Sequence, residues 1–478
     1  MKKRLALLLA LAFYVSILPP LSSAAVIKGN FSDIITKGPW VDVRAYGAVG
    51  DATTDDAAAI QAAIDAAIAL NGTNKRGGVV FFPPGQYLIN TALTINGASD
   101  ITLAGAGGHA SAIRIGGNIS AISLTGIFKN ITIRDLWIGS FAVRSGDTWG
   151  ISATGTGATN AYELSILNVT VQNTRNGVQF DNVDRVKIDG LMVLNSFASG
   201  MGTGISFKRT QGAYANKVLV FSTNGNFGGD TLTIDSDCDT VEFVNSSFSQ
   251  AGAHGVHLKH TLGGSTTEPR LTKFVNVSSE SNLGEGWYIE DARTLGITDC
   301  EAAANTGSGF NVSGGKGITI NGSKAIENGT HGFNISGGRG VSILGVQASN
   351  NGDGTHSGIF INNDNVSVMG SHSGAIVYTS TTQKYGLTIV NGKDNNVVIG
   401  NIFHNNATAP VQNAGTAYHN IIAWNVPASA NFNTTVEVNA TPPAGSAANN
   451  GRIVITGNDN TVTFYSNDLR YKVQGVAY

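Results

Sequence analysis

Gly177-Val178-Gln179-Phe180-Asp181, Gly204-Ile205-Ser206-Phe207-Lys208, Thr231-Leu232-Thr233-Ile234-Asp235 and Gly255-Val256-His257-Leu258-Lys259 are four versions of one phrase. The phrase returns as Gly286-Trp287-Tyr288-Ile289-Glu290, Gly309-Phe310-Asn311-Val312-Ser313, Gly332-Phe333-Asn334-Ile335-Ser336, Gly358-Ile359-Phe360-Ile361-Asn362 and Gly386-Leu387-Thr388-Ile389-Val390. Each is glycine (once threonine), apolar, variable, apolar, variable. Successive first positions are 27, 27, 24, 31, 23, 23, 26 and 28 residues apart. A period in this range marks stacked repeats. Alternation with period two marks strands with one buried face. Most repeats carry a second alternating segment, such as Val186-Lys187-Ile188, Val241-Glu242-Phe243, Ile318-Thr319-Ile320, Val341-Ser342-Ile343, Val366-Ser367-Val368 and Val397-Val398-Ile399. No helical period separates the two. Strand, turn and strand per repeat predict an all-β, single-stranded parallel β-helix whose rungs are stabilised by their neighbours. Asn305, Asn328 and Asn351 recur at a spacing of 23 after the second strand. They suit a stacked amide ladder, and Asn-Gly as a plain turn marker accounts for them nearly as well.

The flanks set the domain plan. Lys2-Lys3-Arg4, the apolar run Leu5 to Leu18 and Ser22-Ser23-Ala24 read as a cleaved export signal over residues 1–24. The mature protein is therefore expected to be soluble and secreted, periplasmic or at the cell surface, with no membrane partner. Residues 25–115 read as an N-terminal strand and helix cap entering the solenoid. Ile60, Ile64 and Ile68 lie on one face of an Ala-rich helix, and Thr53-x-x-Asp56 reads as a capping box before it. An open solenoid end needs such a cap, because it exposes core and strand edges. Residues 116–426 are the expected β-helix. Residues 427–478 are a tail ending in a hairpin, Arg452-Ile453-Val454-Ile455 and Thr461-Val462-Thr463-Phe464-Tyr465 around Gly457-Asn458-Asp459-Asn460.

Composition narrows the function classes. The chain has 478 residues, 61 of them glycine, with 13% charged residues and a formal charge of −2. That balance suggests no general nucleic-acid affinity. Cys238 and Cys300 are the only cysteines, so neither a disulfide framework nor a cysteine zinc site follows. No phosphate loop, His-Glu-x-x-His or nucleophile elbow is present.

Asp42-Val43, Tyr46-Gly47-Ala48-Val49-Gly50-Asp51, Thr54-Asp55-Asp56, Ala59-Ile60-Gln61 and Pro84-Gly85-Gln86-Tyr87 resemble the N-terminal signature of the pectate-lyase-like superfamily of right-handed parallel β-helix proteins. The resemblance covers about fifty residues closely, and the repeats extend it through most of the chain. It implies the right-handed β-helix fold. Because polygalacturonases, pectate lyases, sugar epimerases and phage tailspikes share that fold, function has to come from the site.

Stacked rungs turn the variable positions into two outward columns. One reads Gln179, Ser206, Thr233, His257, Tyr288, Asn311, Asn334, Phe360. The other reads Asp181, Lys208, Asp235, Lys259, Glu290, Ser313, Ser336, Asn362. The charged half of the second column is the main functional clue. Asp235 and Glu290 are two rungs apart, about 9–10 Å at the spacing of neighbouring strands. Inverting glycosidases hold their carboxyls roughly 6.5–9.5 Å apart. Asp235, Glu290, Lys259 and His257 are therefore the candidate catalytic residues, with Lys259 keeping one carboxylate ionised. Asp181, Lys208, Tyr288, His254 and Asp291 are the candidate substrate-binding residues. A cross-strand ladder of charges is the competing structural reading. Ala253-His254-Gly255 is similar in place to the Gly-His-Gly element of polygalacturonases, whose paired aspartates and Arg-x-Lys element are absent here. Asp235-x-Asp237-x-Asp239 reads as half a calcium loop, with Glu290-Asp291 able to add oxygens; it lacks the glycine and glutamate of an EF-hand.

The leading expectation is a secreted glycoside hydrolase acting on an extended polysaccharide, neutral or uronate-containing, along the β-helix face. Tyr288 and Phe360 are available for stacking on sugars. No cofactor is required for hydrolysis, and Ca²⁺ enters if the chemistry is lyase elimination. The other readings are a lyase of the same fold and a non-catalytic glycan-binding protein of tailspike or adhesin type. The expected assembly is a monomer or homotrimer.

Overall fold

A computed structural model describes residues 40–427 with breaks at 71–76, 157–159, 198–200, 264, 266, 376–382, 415–418 and 424, together with 452–456, 461–466 and 469–474. The expected export signal, residues 1–24, and most of the tail lie outside the described residues. The chain winds into a parallel β-solenoid of about 12 turns with very little helix.

The nine quoted phrases all lie in one sheet. It is 13-stranded and parallel, and the register follows the columns read from the sequence. Thr233 stands opposite His257, His257 opposite Tyr288, Tyr288 opposite Asn311, Asn311 opposite Asn334 and Asn334 opposite Phe360. The remaining solenoid strands form a 26-stranded sheet around the other sides. Most later rungs carry three strands rather than the two expected. In one rung these are Phe310–Val312, Lys316–Asn321 and Lys324–Ile326. Gly322, at φ 62°, bends the chain between the last two. The third strand has a single buried residue, Ala325, too few for alternation to show.

The core is a stack of inward side chains. Phe274, Trp287, Phe310 and Phe333 follow one another through successive rungs, with ring centroids 4.9, 5.5 and 4.9 Å apart. Offset and edge contacts at such distances add to the burial of each ring. The asparagine ladder is present and starts one rung before Asn305, at Asn282, which keeps the same spacing of 23 residues. Asn282 donates to Asn305 at 2.7 Å, Asn305 to Asn328 at 2.8 Å and Asn328 to Asn351 at 2.9 Å. All four are buried, and each amide also bonds backbone groups, so no polar atom is left bare at the turn. The ladder explains one glycine of the phrase. A Cβ on Gly309 would lie 2.8 Å from the Asn328 amide and 2.7 Å from the Gly332 carbonyl.

The helix Ala57–Ala69 buries Ile60 and Ile64 completely against the first rungs. The expected Thr53/Asp56 capping box does not form. Asp56 instead accepts from the backbone of Val49 and Gly50, and Asp55 accepts from Ala57 at the helix start. The loop before the helix therefore competes successfully for the capping carboxylate. The C-terminal hairpin pairs Arg452–Thr456 with Thr461–Ser466 and gains an unexpected third strand, Leu469–Gln474.

Candidate functional site

The acid–base residues of the outer face gather on three rungs around the strands Leu232–Ile234, Val256–Leu258 and Trp287–Ile289. Alternation sends Val256 and Leu258 inward and His257 outward. His257 is then held on both sides. Its Nδ1 lies 2.9 Å from Asp230 Oδ2 and its Nε2 lies 3.2 Å from Glu290 Oε2. The doubly protonated ring donates to both carboxylates, and either neutral tautomer gives up one contact.

Asp230 ends the turn before Thr231. Its Oδ1 accepts the His254 backbone N–H at 3.0 Å, and its Oδ2 accepts from Thr233 at 3.3 Å. Burial works to raise this carboxyl's pKa. The hydrogen bond and charge of His257, with the His254 N–H, outweigh burial and hold it below the ordinary carboxylate range. His254 makes the second pairing, its Nδ1 standing 2.7 Å from Glu285 Oε2. That bond is the chief cause of a lowered Glu285 pKa, opposed by burial and assisted by Asn311, which donates to Oε1 at 3.2 Å. The Tyr288 ring packs against both imidazoles, with centroids 4.7 Å from His254 and 4.9 Å from His257. One histidine is thus set between a mostly enclosed and a half-exposed carboxylate, a second pairs with a third carboxylate, and a tyrosine covers both.

Of the residues singled out from the sequence, the structure brings together His257, His254, Tyr288 and Glu290. Asp235 does not join them. Its strand ends at Ile234, so the alternation stops before it. Its carboxylate turns inward, 2% exposed. It accepts four hydrogen bonds, from the N–H and hydroxyl of Ser236 and of Thr261. The expected Asp235–Lys259–Glu290 arrangement is therefore not assembled. Lys259 and Lys208 make no ion pair among the described residues, so the alternating charge ladder is not formed either. Asp181 pairs with the neighbouring Arg209, and Asp291 faces His260 at 3.5 Å. Asp181 lies three rungs from His257 and Lys208 two, about 14 Å and 10 Å away along the sheet.

The half calcium loop is not assembled. Asp235 is bound in its turn, Asp237 accepts from the Thr267 hydroxyl, and Asp239 pairs with Arg270 at 2.7 Å. Among the described residues, the group whose ligand atoms converge is Asp230, His254 and His257, all within 4.8 Å of one another. Their nitrogens face carboxylates, so ring protons and a borderline divalent ion would compete for the same positions.

Sequence reasoning missed Asp230 and Glu285. Both stand immediately before the first position of the phrase, as do His254, Ser308 and His331. That column reads Asp230, His254, Glu285: acid, base, acid on consecutive rungs. It lies outside the alternating segment, where period two carries no information.

Asp235 gives a test of this division between site and scaffold. Burial raises its pKa, but the bonds from Thr261 and Ser236 hold it below the ordinary value. A carboxyl with a lower pKa folded than unfolded stabilises the fold above the unfolded value of about 3.9, and that contribution is lost as pH falls through the folded value. Asp235→Asn is expected to lose about 1.5–3 kcal/mol at neutral pH. Its thermal-unfolding gap from the wild type should narrow in acid. A pH-independent gap would show that the charge is not what the turn uses.

A family model described as rhamnogalacturonase A/epimerase, pectate lyase-like, matches residues 40–225. The A-module of the Azotobacter vinelandii mannuronan C-5 epimerase AlgE6 superposes with a TM-score of 0.57 at 20% identity, covering 81% of this chain and 99% of that one. Tailspike protein 3 of bacteriophage CBA120 superposes with a TM-score of 0.62 at 14% identity, covering 93% and 71%. Over residues 40–225 the chain is similar to this pectate lyase-like family, and its fold is the β-helix of these two solved structures. Among curated relatives, plasmin and fibronectin-binding protein A of Streptococcus pneumoniae is 29% identical over 180 residues, 37% of this chain and 23% of that protein. AlgE6 is 40% identical over 96 residues, 19% of this chain and 10% of that protein. The chain thus spans less than a quarter of the length of either curated relative. The family match ends at residue 225, before Asp230 and the rest of the site.

Proposed function

We propose that this is an exported enzyme that acts on a polysaccharide by acid–base chemistry, removing the proton at C5 of a uronate residue bound on the outer face of the 13-stranded sheet. The observation that carries this reading is His257, fixed by the mostly enclosed Asp230 and flanked by Tyr288. A carbon next to a carboxylate loses its proton to a positioned base, and an enclosed carboxylate behind the histidine stabilises the imidazolium that forms. Substrate displaces Glu290 from Nε2, His257 takes the C5 proton, and Tyr288 is the acid. Lys259, without an ion-pair partner among the described residues, is the cation available to offset the substrate carboxylate. Return of a proton to C5 from the opposite face gives epimerisation. Departure of the 4-linked oxygen, protonated as it leaves, gives elimination. The similarity to a protein named as a mannuronan C5-epimerase supports this class of chemistry.

Hydrolysis is the second reading. Asp230 and Glu290 stand on opposite sides of one imidazole ring, a separation of the order of the roughly 6.5–9.5 Å that inverting glycosidases use. The lowered Asp230 pKa suits a base rather than an acid, so hydrolysis would assign the acid role to Glu290. The test is incubation with polymannuronate, polyguluronate and polygalacturonate in deuterated water. Deuterium at C5 or an ultraviolet-absorbing unsaturated end is the expected product. New reducing ends with neither signal would establish the hydrolase, and binding without any product would leave a non-catalytic glycan-binding protein.

A further inference from the structure

Beyond Tyr288 the same outward column continues through Asn311 and Asn334 to Phe360. The two amides point one way. Asn334 donates to Asn311 at 3.2 Å, and Asn311 donates to Glu285 at 3.2 Å. This leaves Asn334 Oδ1 at the far end, buried and without a hydrogen-bond partner. One rung on, the Phe360 ring stacks on His331, with centroids 4.3 Å apart and planes 20° from parallel. Burial, with the nearby His356, pushes the His331 pKa down to about 4, so this ring is neutral at ordinary pH. Its Nδ1 lies 3.0 Å from the Ser357 backbone nitrogen and 3.3 Å from the Ser357 carbonyl oxygen, so either neutral tautomer is bonded there. Its Nε2 has no partner among the described residues and donates or accepts according to the tautomer. A free amide oxygen, a free ring nitrogen and an aromatic pair therefore stand together.

This is the equipment for a pyranose ring, whose hydroxyls donate and accept while its C–H face packs on aromatic carbon. We propose that Asn334, His331 and Phe360 form a remote subsite for an internal residue of a long uronate glycan, reached only by chains that extend from His257 past Tyr288. Three rung steps separate Tyr288 from Phe360, about 14 Å at the spacing of adjacent strands. The subsite rests on the polymer class proposed above. It adds a preference for chain length and a direction, with the glycan running toward the C-terminal rungs.

Calorimetric titration with an oligomannuronate trimer and octamer tests it. The wild type is expected to bind the octamer more tightly than the trimer. Phe360→Leu, which keeps bulk and removes the aromatic face, should weaken the octamer by about two- to tenfold, the equivalent of one aromatic pairing. Asn334→Ala should act in the same direction, and in both variants the trimer should lose less than the octamer. Equal affinity of the wild type for the two lengths, or octamer binding unchanged in both variants, overturns the subsite while C5 chemistry can still be measured on the polymer. Absence of binding to either length, together with absence of turnover, overturns the subsite along with the reading beneath it.

Discussion

His257→Gln should lower turnover of the uronate polymer by about 10²–10⁴-fold, the usual contribution of one positioned acid–base group. Glutamine retains hydrogen-bonding atoms on the same outward position but cannot carry the proton. The fold should not suffer, because His257 lies outside the core and its neighbours Val256 and Leu258 are unchanged. Asp230→Asn should fall almost as far. An amide there turns a donor toward Nδ1 and favours the wrong imidazole tautomer, while the turn keeps its shape. Initial rates on the polymer, with melting temperatures as the control for folding, check both. Full turnover in His257→Gln would move the chemistry to His254 and Glu285 on the neighbouring column.

The largest stability effect is expected at the next residue. Leu258→Asp should abolish soluble folded protein, whereas Lys259→Ala should melt like the wild type. Leu258 is fully buried and paired in register with Ile234 and Ile289. An unpaired carboxylate there costs several kcal/mol, comparable with the 5–15 kcal/mol that holds a whole domain together. Lys259 is partly exposed and without an ion-pair partner among the described residues, so its truncation removes little. Soluble yield and thermal unfolding of the pair decide the matter. Equal behaviour would mean that the register of this strand is reversed.

These two neighbours show how much of the molecule period two makes legible. Where a strand persists, as at Val256–Leu258, parity assigns each side chain a face and the stacked columns follow. His257 and Tyr288 were readable on that basis. Where the strand stops, parity stops with it. Asp235 is one residue beyond Ile234, and the turn's hydroxyls and amides decide where its carboxylate goes. Asp230 and Glu285 fail for the complementary reason, since they precede the strand. The third strands, such as Glu301–Ala303 and Lys324–Ile326, are not legible because three residues with one inward side chain make no pattern. The asparagine ladder was legible because a fixed spacing of 23 residues survives whatever the turn conformation is.

The ladder also sets the unit in which this protein can evolve. Each buried amide depends on one directly above it, so a deletion of a few residues strands an asparagine, while loss of a complete turn does not. Removing residues 306–328 would join Asn305 to Gly329, the same Asn-Gly junction that already exists at Asn328. Such an excision, or a duplication of equal length, would carry Phe360 one step nearer to or farther from Tyr288. Copying a 23-residue segment of the gene is thus a way to reset the length of polymer that the proposed subsite would measure, with the rungs around His257 left as they were.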